Sequence, residues 1–199
     1  MDFDFSKEIV LENDRVKLTP MQPEDWDNLL PVALADPTLV QYSPSQIHSE
    51  GHLKKYIAAA LSDRANHFRY AFTIFDKKTQ SYAGSTSFGN IMNKDKRIEI
   101  GWTWIGREFQ RTGLNRACKL LLMQYVFETL QFERLEFRTD ERNTDSRNAI
   151  EKIGGKYEGL LRSHMQLPDG VRRNTVCYSI LKEEWPAVKK GLVEQVAQV

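Results

Sequence analysis

The stretch Gln110-Arg111-Thr112-Gly113-Leu114-Asn115-Arg116 puts a glycine, two arginines and a hydroxyl at the end of an aromatic, β-branched run and the start of a long amphipathic one. A strand that gives way to a helix through such a turn exposes the helix's first backbone N–H groups, which have no intrahelical acceptor. They sit at the positive end of the helix dipole and attract anions. Gly113 lacks a Cβ, so the backbone can come close to a phosphate, and Arg111 and Arg116 add positive charge to the same turn. A pyrophosphate is the guest this turn suits. An ordinary strand-to-helix connection would use the same glycine for turn geometry alone. No Gly-Lys-Ser/Thr follows, so this is not a Walker loop, and the three-glycine spacing of a dinucleotide fingerprint is absent.

The elements that must hold this turn read as follows. Residues 14–19 alternate as a strand that Pro20 ends, and a helix starts near Pro23, carries Trp26, Leu29, Leu30 and Leu34, and stops at Asp36-Pro37. A second helix follows Ser49 with Leu53, Ile57 and Leu61 on one face. Strands are expected over 68–75 and 83–91, joined by a polar loop at 76–80, and over 97–105. The clearest helix covers 114–130, with Leu114, Ala117, Leu121 and Tyr125 near one line. A strand at 134–140 and a helix at 144–153, closed by Gly154-Gly155, come next. Strands at 157–167 and 173–181 flank the turn Pro168-Asp169-Gly170, and a last helix is expected over 182–196. The order β-α-α-β-β-β-α-β-α-β-β-α predicts a mixed α/β domain whose sheet is largely antiparallel.

Composition sets outer limits. The chain has 199 residues, of which 41% are hydrophobic, enough for one domain with a sizeable core. Lys+Arg number 28 against 27 Asp+Glu, a balance that argues against binding to nucleic acid or an anionic membrane by bulk charge. No apolar run approaches the roughly 18 residues that span a bilayer. The opening Met1-Asp2-Phe3-Asp4-Phe5 lacks the order of a signal peptide. Cys118 and Cys177 are the only cysteines, too few for a disulfide framework or a four-thiolate zinc site, so a reduced, cytoplasmic setting is expected. His48, His52 and His67 are too loosely spaced for a metal site, and none is expected.

Gln110-Arg111-Thr112-Gly113-Leu114-Asn115 resembles the Gln/Arg-x-x-Gly-x-Gly/Ala motif of the GCN5-related N-acetyltransferases (GNAT), whose backbone amides hold the pyrophosphate of acetyl-coenzyme A. The resemblance extends to Asp140-Glu141-Arg142-Asn143-Thr144-Asp145-Ser146 and to Ile150-Glu151-Lys152-Ile153-Gly154, similar to runs in the Rim-type (RimJ/RimL-like) branch, which includes N-terminal acetyltransferases of ribosomal proteins. Val16-Lys17-Leu18-Thr19-Pro20-Met21 and Ile98-Glu99-Ile100-Gly101-Trp102 also look like that branch. The similarity covers residues 14–182, which the resemblance makes the acetyltransferase domain, with 1–13 as an N-terminal extension and 183–199 as a C-terminal helix or tail. It implies a GNAT fold, a mixed, mostly antiparallel sheet of about seven strands whose splayed central strands form an acyl-CoA cleft. Two positions depart from the family pattern. Asn115 stands where Gly or Ala is usual, and Ile150 occupies the place of a tyrosine that many members use to protonate the leaving thiolate.

Acetyl transfer from a thioester to an amine needs a deprotonated amine, a polarised carbonyl and a donor for the departing thiolate, whose pKa is about 8.5. By resemblance, Trp104 and Ile105, with Thr103 as a further option, pair with the thioester arm through their backbone. Arg111, Thr112, Gly113, Leu114, Asn115 and Arg116 would hold the diphosphate, and Asn143 would contact the pantetheine arm while also suiting a helix N-cap. Glu99, pointing away from Ile98 and Ile100, is the candidate base, against the alternative of a solvent-facing strand residue, and Glu136 is its rival. Ser146 is the candidate donor to the thiolate in the absence of a tyrosine at 150. Tyr157, Tyr178 and His164 are further proton carriers or wall residues, and Cys118 reads as a small core residue.

The expected activity is therefore direct acetyl transfer from acetyl-CoA to a primary amine, either a protein N-terminus or a small molecule. The acceptor side is expected around 36–67 and the hairpin 162–173, with no nucleic-acid or membrane partner and a homodimer left open. The alternative is a non-catalytic acyl-CoA-binding module in which Asn115 and Ile150 record lost chemistry.

Overall fold

Alternating β-branched and aromatic residues form the strands, and apolar residues three and four apart form the helices, in a computed structural model that describes residues 1–197. In chain order the elements are β1 Leu11–Glu12, β2 Val16–Pro20, α1 Asp25–Leu34, α2 Glu50–Ala65, β3 Arg69–Asp76, β4 Ser81–Met92, β5 Arg97–Ile105, α3 Leu114–Gln124, β6 Arg134–Asp140, α4 Thr144–Lys152, β7 Lys156–Gln166, β8 Arg172–Leu181 and α5 Trp185–Ala197. The eight strands form one sheet in the order β1-β2-β3-β4-β5-β6-β8-β7. Every neighbouring pair is antiparallel except β5 and β6, whose connection crosses over through α3.

That parallel pair is short. Only Arg97↔Arg134, Ile98↔Leu135 and Glu99↔Glu136 are in register, and beyond Glu99 the two strands splay apart. On its other side β5 carries a bulge against β4. Ser87 faces Gly101 and Ser85 faces Trp104, so Trp102 and Thr103 together oppose Thr86. Trp102 has a φ of +50°, which a non-glycine residue adopts only under local constraint. The bulge also resets the facing of the side chains. Ser85 and Ser87 lie on the face covered by α2, where Tyr56 Oη is 3.2 Å from Ser85 Oγ and Arg69 Nε donates to Ser87 Oγ at 3.0 Å. Phe88, one residue on, stacks on Tyr125 beyond α3, so α3 covers the opposite face. Thr86 shares Phe88's face, and through it so does Thr103.

Three features differ from the sequence reading. The sheet has eight strands rather than about seven, because Leu11–Glu12 adds a two-residue edge to β2. Residues ahead of β2 also fill the core. Phe3 and Ile9 are buried, the Phe3 N–H donates to Asn93 Oδ1 at 2.8 Å and the Ile9 N–H to Tyr70 Oη at 2.9 Å. The helix expected over 114–130 is α-helical to Gln124 and then widens into a π turn, Tyr125–Thr129, closed by the Leu130 N–H on the Tyr125 carbonyl. Apolar spacing over five residues does not separate the two helix types. In the widened turn Phe127 stacks on Trp185 of α5, with ring centroids 5.3 Å apart. Among the described residues no helix is long and apolar enough to cross a membrane.

Candidate active site

The gap between the splayed β5 and β6 opens into a cavity of about 1060 Å³. Its wall is built from the Gln110–Arg116 turn, the exposed face of α4, the bulged part of β5, the loop after α1 and the end of the β7–β8 hairpin. Of the residues expected in the site, Glu99, Trp104, Ile105, Arg111, Gly113, Asn115, Arg116, Asn143 and Ser146 all line it.

Gly113 takes a φ of +85° and caps α3, a left-handed conformation that a side chain would strain. Arg111 before it is also left-handed, at +61°. The first intrahelical bond of α3 runs from the Ala117 N–H to the Gly113 carbonyl, so the amides of Leu114, Asn115 and Arg116 precede the ladder. Leu114 N–H has only the Thr112 hydroxyl, at 3.5 Å. Thr112 and Leu114 do not face the cavity with their side chains. The Thr112 hydroxyl is turned inward and donates to the Phe109 carbonyl at 2.7 Å, while Leu114 is fully buried in the core. Both shape the turn rather than offer a side chain to a guest.

On the facing side, Asn143 caps α4, its Oδ1 accepting from the Ser146 N–H at 3.1 Å. Ser146 therefore sits in the first turn of α4, and Ile150, one turn deeper and 8% exposed, presents an alkyl wall to the cavity.

Glu99 is only 5% exposed, so it is not a solvent-facing strand residue. Its register partner Gly89 and the pair Ser87↔Gly101 place it on the α2 face. Its carboxylate leans over Gly101, where an added Cβ would come within 3.0 Å of Oε1. Asn90 Nδ2 donates to Oε2 at 2.6 Å, and Arg138 Nε lies 3.5 Å from the same oxygen. Burial raises the pKa of this carboxyl above the ordinary value, and the Asn90 hydrogen bond and the Arg138 charge oppose the rise without cancelling it. The rival Glu136 does not line the cavity. Arg134, Arg138 and Arg97 hold it at 2.9, 3.1 and 3.8 Å.

Parts of both segments expected on the acceptor side line the cavity. Asp36, Tyr42 and their neighbours line the cavity, as do Met165 and Arg173, and Arg173 Nη1 donates to the Tyr42 carbonyl at 3.2 Å, tying the loop to the hairpin. Trp102 and Trp104 line it too, with Trp104 edge-on to Tyr56 of α2. Tyr157, Tyr178 and His164 do not. Tyr178 donates to Glu151 at 2.9 Å, His164 Nδ1 is 3.0 Å from Thr175 Oγ1, and Tyr157 is exposed. Cys118 is fully buried and its thiol is pushed up to about 12, the condition of an inert core residue. Among the described residues no group of three or more His, Cys, Asp or Glu is placed to hold a metal.

Several polar residues of the cavity escaped the sequence reading, and Lys119 is the most deeply placed lysine among them. Lys119 of α3 is 7% exposed, lines the cavity and donates to Thr103 Oγ1 at 2.8 Å. Among the described residues no carboxylate pairs with it. Burial pulls its pKa from 10.5 down to about 8. The available signal was its spacing four residues after Asn115, which puts a charge on the helix face that follows the glycine turn.

A family model described as the acetyltransferase (GNAT) domain matches residues 15–156. A relative from Bacillus subtilis (strain 168), YdaF, whose name provisionally assigns it as a ribosomal N-acetyltransferase, is 34% identical over 109 residues. That match covers 55% of this chain and 58% of the relative, so the chain spans little more than half the length of its curated relative. Among solved structures, a GCN5-related N-acetyltransferase from Brucella melitensis superposes with a TM-score of 0.90 at 25% identity, over 97% of this chain and 87% of that one. The fold is also shared with Mycobacterium smegmatis RimJ, solved in complex with CoA-disulfide, at a TM-score of 0.78 and 21% identity, over 94% and 93% of the two chains.

Proposed function

The chain belongs to the GNAT acetyltransferase family, and from that premise we propose that it transfers an acetyl group from acetyl-CoA to a primary amine by direct attack. One observation carries the reading: a single cavity joins a glycine-capped helix N-terminus, a gap between two splayed parallel strands and a buried carboxylate. The Bacillus subtilis relative's name supports N-acetyl transfer, and the RimJ structure with CoA-disulfide supports a CoA-type cosubstrate. The acceptor is a protein N-terminus, as in the Rim-type branch, or a small amine.

The residues divide the work. The amides of Gly113 to Arg116, with Arg111 and Arg116, bind the diphosphate. The unpaired edge of β5 from Thr103 to Ile105 accepts the thioester arm as an added strand, and its N–H groups polarise the carbonyl as it becomes tetrahedral. Asn143, with Oδ1 committed to the helix cap, offers its Nδ2 to the arm. Ser146 offers a hydroxyl from the same turn. Glu99 takes the proton of the acceptor amine. A carboxylate with a raised pKa is the better base for that task, because its conjugate acid is weaker. Holding both reactants in one enclosed slit supplies much of the remaining rate.

The deciding experiment measures thiol release from acetyl-CoA with a panel of small amines and N-terminal peptides, for the native chain and Glu99→Gln. The proposal predicts turnover with at least one acceptor and a loss of roughly 10²-fold or more in the variant. Equal rates would remove Glu99 as the base. Tight CoA binding without turnover on any acceptor would favour the binding-module reading, to which Ile150 in the place of the family tyrosine lends its weight.

A further inference from the structure

The wall of the cavity holds three polar groups that the protein itself leaves underused, Asn115 and Lys119 on α3 and Trp104 on the α2 face of β5. Trp104, only 5% exposed, has a buried indole N–H with no hydrogen-bond partner among the described residues. Asn115 Oδ1 is likewise buried and, among the described residues, unpartnered. Lys119, one helical turn beyond Asn115, has three N–H donors, of which only one is accounted for, by Thr103. Buried polar atoms without partners are rare in native proteins, and a cluster of them around one cavity points to a ligand that supplies the partners.

The place of Lys119 narrows the role. Thr103, which accepts its hydrogen bond, belongs to the bulge of β5 and is paired with Thr86 at 2.8 Å. Lys119 therefore reaches the slit from the α3 face, and Glu99 reaches it from the α2 face. An incoming amine and a departing thiolate need groups of these two kinds on two different sides of the reacting carbon. Ile150 cannot donate a proton, and the Ser146 hydroxyl, which can offer a hydrogen bond, does not part with its proton near neutral pH.

Resting on the acyl-CoA reading above, we propose that Lys119 is a catalytic residue, the proton donor to the coenzyme A sulfur as the carbon–sulfur bond breaks. The amine nitrogen forms its bond to the carbonyl carbon and gives one proton to Glu99. The carbon–sulfur electron pair passes to sulfur, which takes a proton from the Lys119 ammonium. Neutral Lys119 is reprotonated from solvent, Glu99 returns its proton to solvent, and the net result is amide and free thiol with no net release of protons. The titratable group that bears on Lys119 is the neighbouring Cys118 thiol, which stays neutral; the carboxylate of the slit, Glu99, stands on the other face beside Arg138, and among the described residues no carboxylate pairs with the ammonium. At about 8, the lysine is matched to the thiol it serves.

The test follows the thiol of bound CoA, not turnover. Thiolate absorbance is titrated for the native chain with CoA, with desulfo-CoA as the blank. An adjacent ammonium predicts roughly tenfold more thiolate at pH 7.5 than in free CoA. Lys119→Met should abolish the excess, and Ser146→Ala and the surface control Lys94→Met should keep it. Bound CoA that titrates like free CoA in the native chain overturns the assignment even if Lys119→Met fails to fold. So does an excess that survives in Lys119→Met or vanishes in Ser146→Ala. Absence of CoA binding by the native chain overturns instead the acyl-CoA reading itself.

Discussion

Replacing Lys119 by methionine should make the protein more stable, and the gain should depend on pH. The ammonium is buried, pairs with no carboxylate among the described residues, and has its pKa pulled from 10.5 to about 8 by desolvation. At roughly 1.4 kcal/mol per tenfold change in proton affinity, holding that charge inside costs about 3 kcal/mol. Below pH 8 the lysine is protonated in both folded and unfolded chains, so the whole cost is present. Between pH 8 and about 10.4 the unfolded chain binds a proton that the folded chain does not, and stability from this group rises with pH. Above that range the cost is gone. Methionine has a similar length and no charge, and Thr103 keeps Thr86 as a partner. Urea unfolding at pH 7 should therefore show Lys119→Met ahead by about 3 kcal/mol, or roughly 6–12 °C in melting temperature for a chain of this size. The gap should close toward pH 10.5. A variant equal to or less stable than the native chain at pH 7, or a gap that does not change with pH, would refute the reasoning. A gain of this kind is the usual accompaniment of a functional group held where stability alone would not place it.

Three further outcomes are expected. The acid limb of the pH–rate profile should lie above the ordinary Glu value of about 4.3, because burial raises the pKa of Glu99 and activity falls as the base is protonated. The limb should vanish in Glu99→Gln, whose stability at pH 7 should not fall. Gly113→Ala should lose more than about 1 kcal/mol in denaturant unfolding, since φ at this position is +85°, and should weaken CoA binding measured by calorimetry about tenfold or more. Asn143→Ala removes the cap of α4 and should cost about 1 kcal/mol in thermal unfolding, together with weaker CoA binding.

Much of the framework could be read from local pattern. The bounds of β5 and β6 follow from their alternation, and the turn at Gly113 from the contrast between an aromatic run and an amphipathic one. The sequence placed Glu99 opposite Ile98 and Ile100 but left its burial open, because the groups around it, Asn90, Arg138 and Arg173, come from other strands. Gly101 inside the strand signals a bulge, but the left-handed position falls on the neighbouring Trp102, which its type does not announce, and without the bulge Thr103 would not meet Lys119. Lys119 itself sits in the apolar run Ala117-Cys118-Lys119-Leu120, where a lysine reads as a snorkelling surface residue until the depth of the cavity is known. Phe3 and Ile9 were hidden for the opposite reason: isolated apolar residues in an irregular segment carry no period.

The central claim is that the cavity receives coenzyme A with its diphosphate on the turn before α3 and its sulfur in the slit between β5 and β6. A crystal structure with CoA tests this most directly. The account predicts diphosphate oxygens on the amides between Gly113 and Arg116 and a sulfur atom within reach of Lys119. A cofactor lying elsewhere on the surface, or a turn at 110–116 that makes no contact with phosphate, would contradict it.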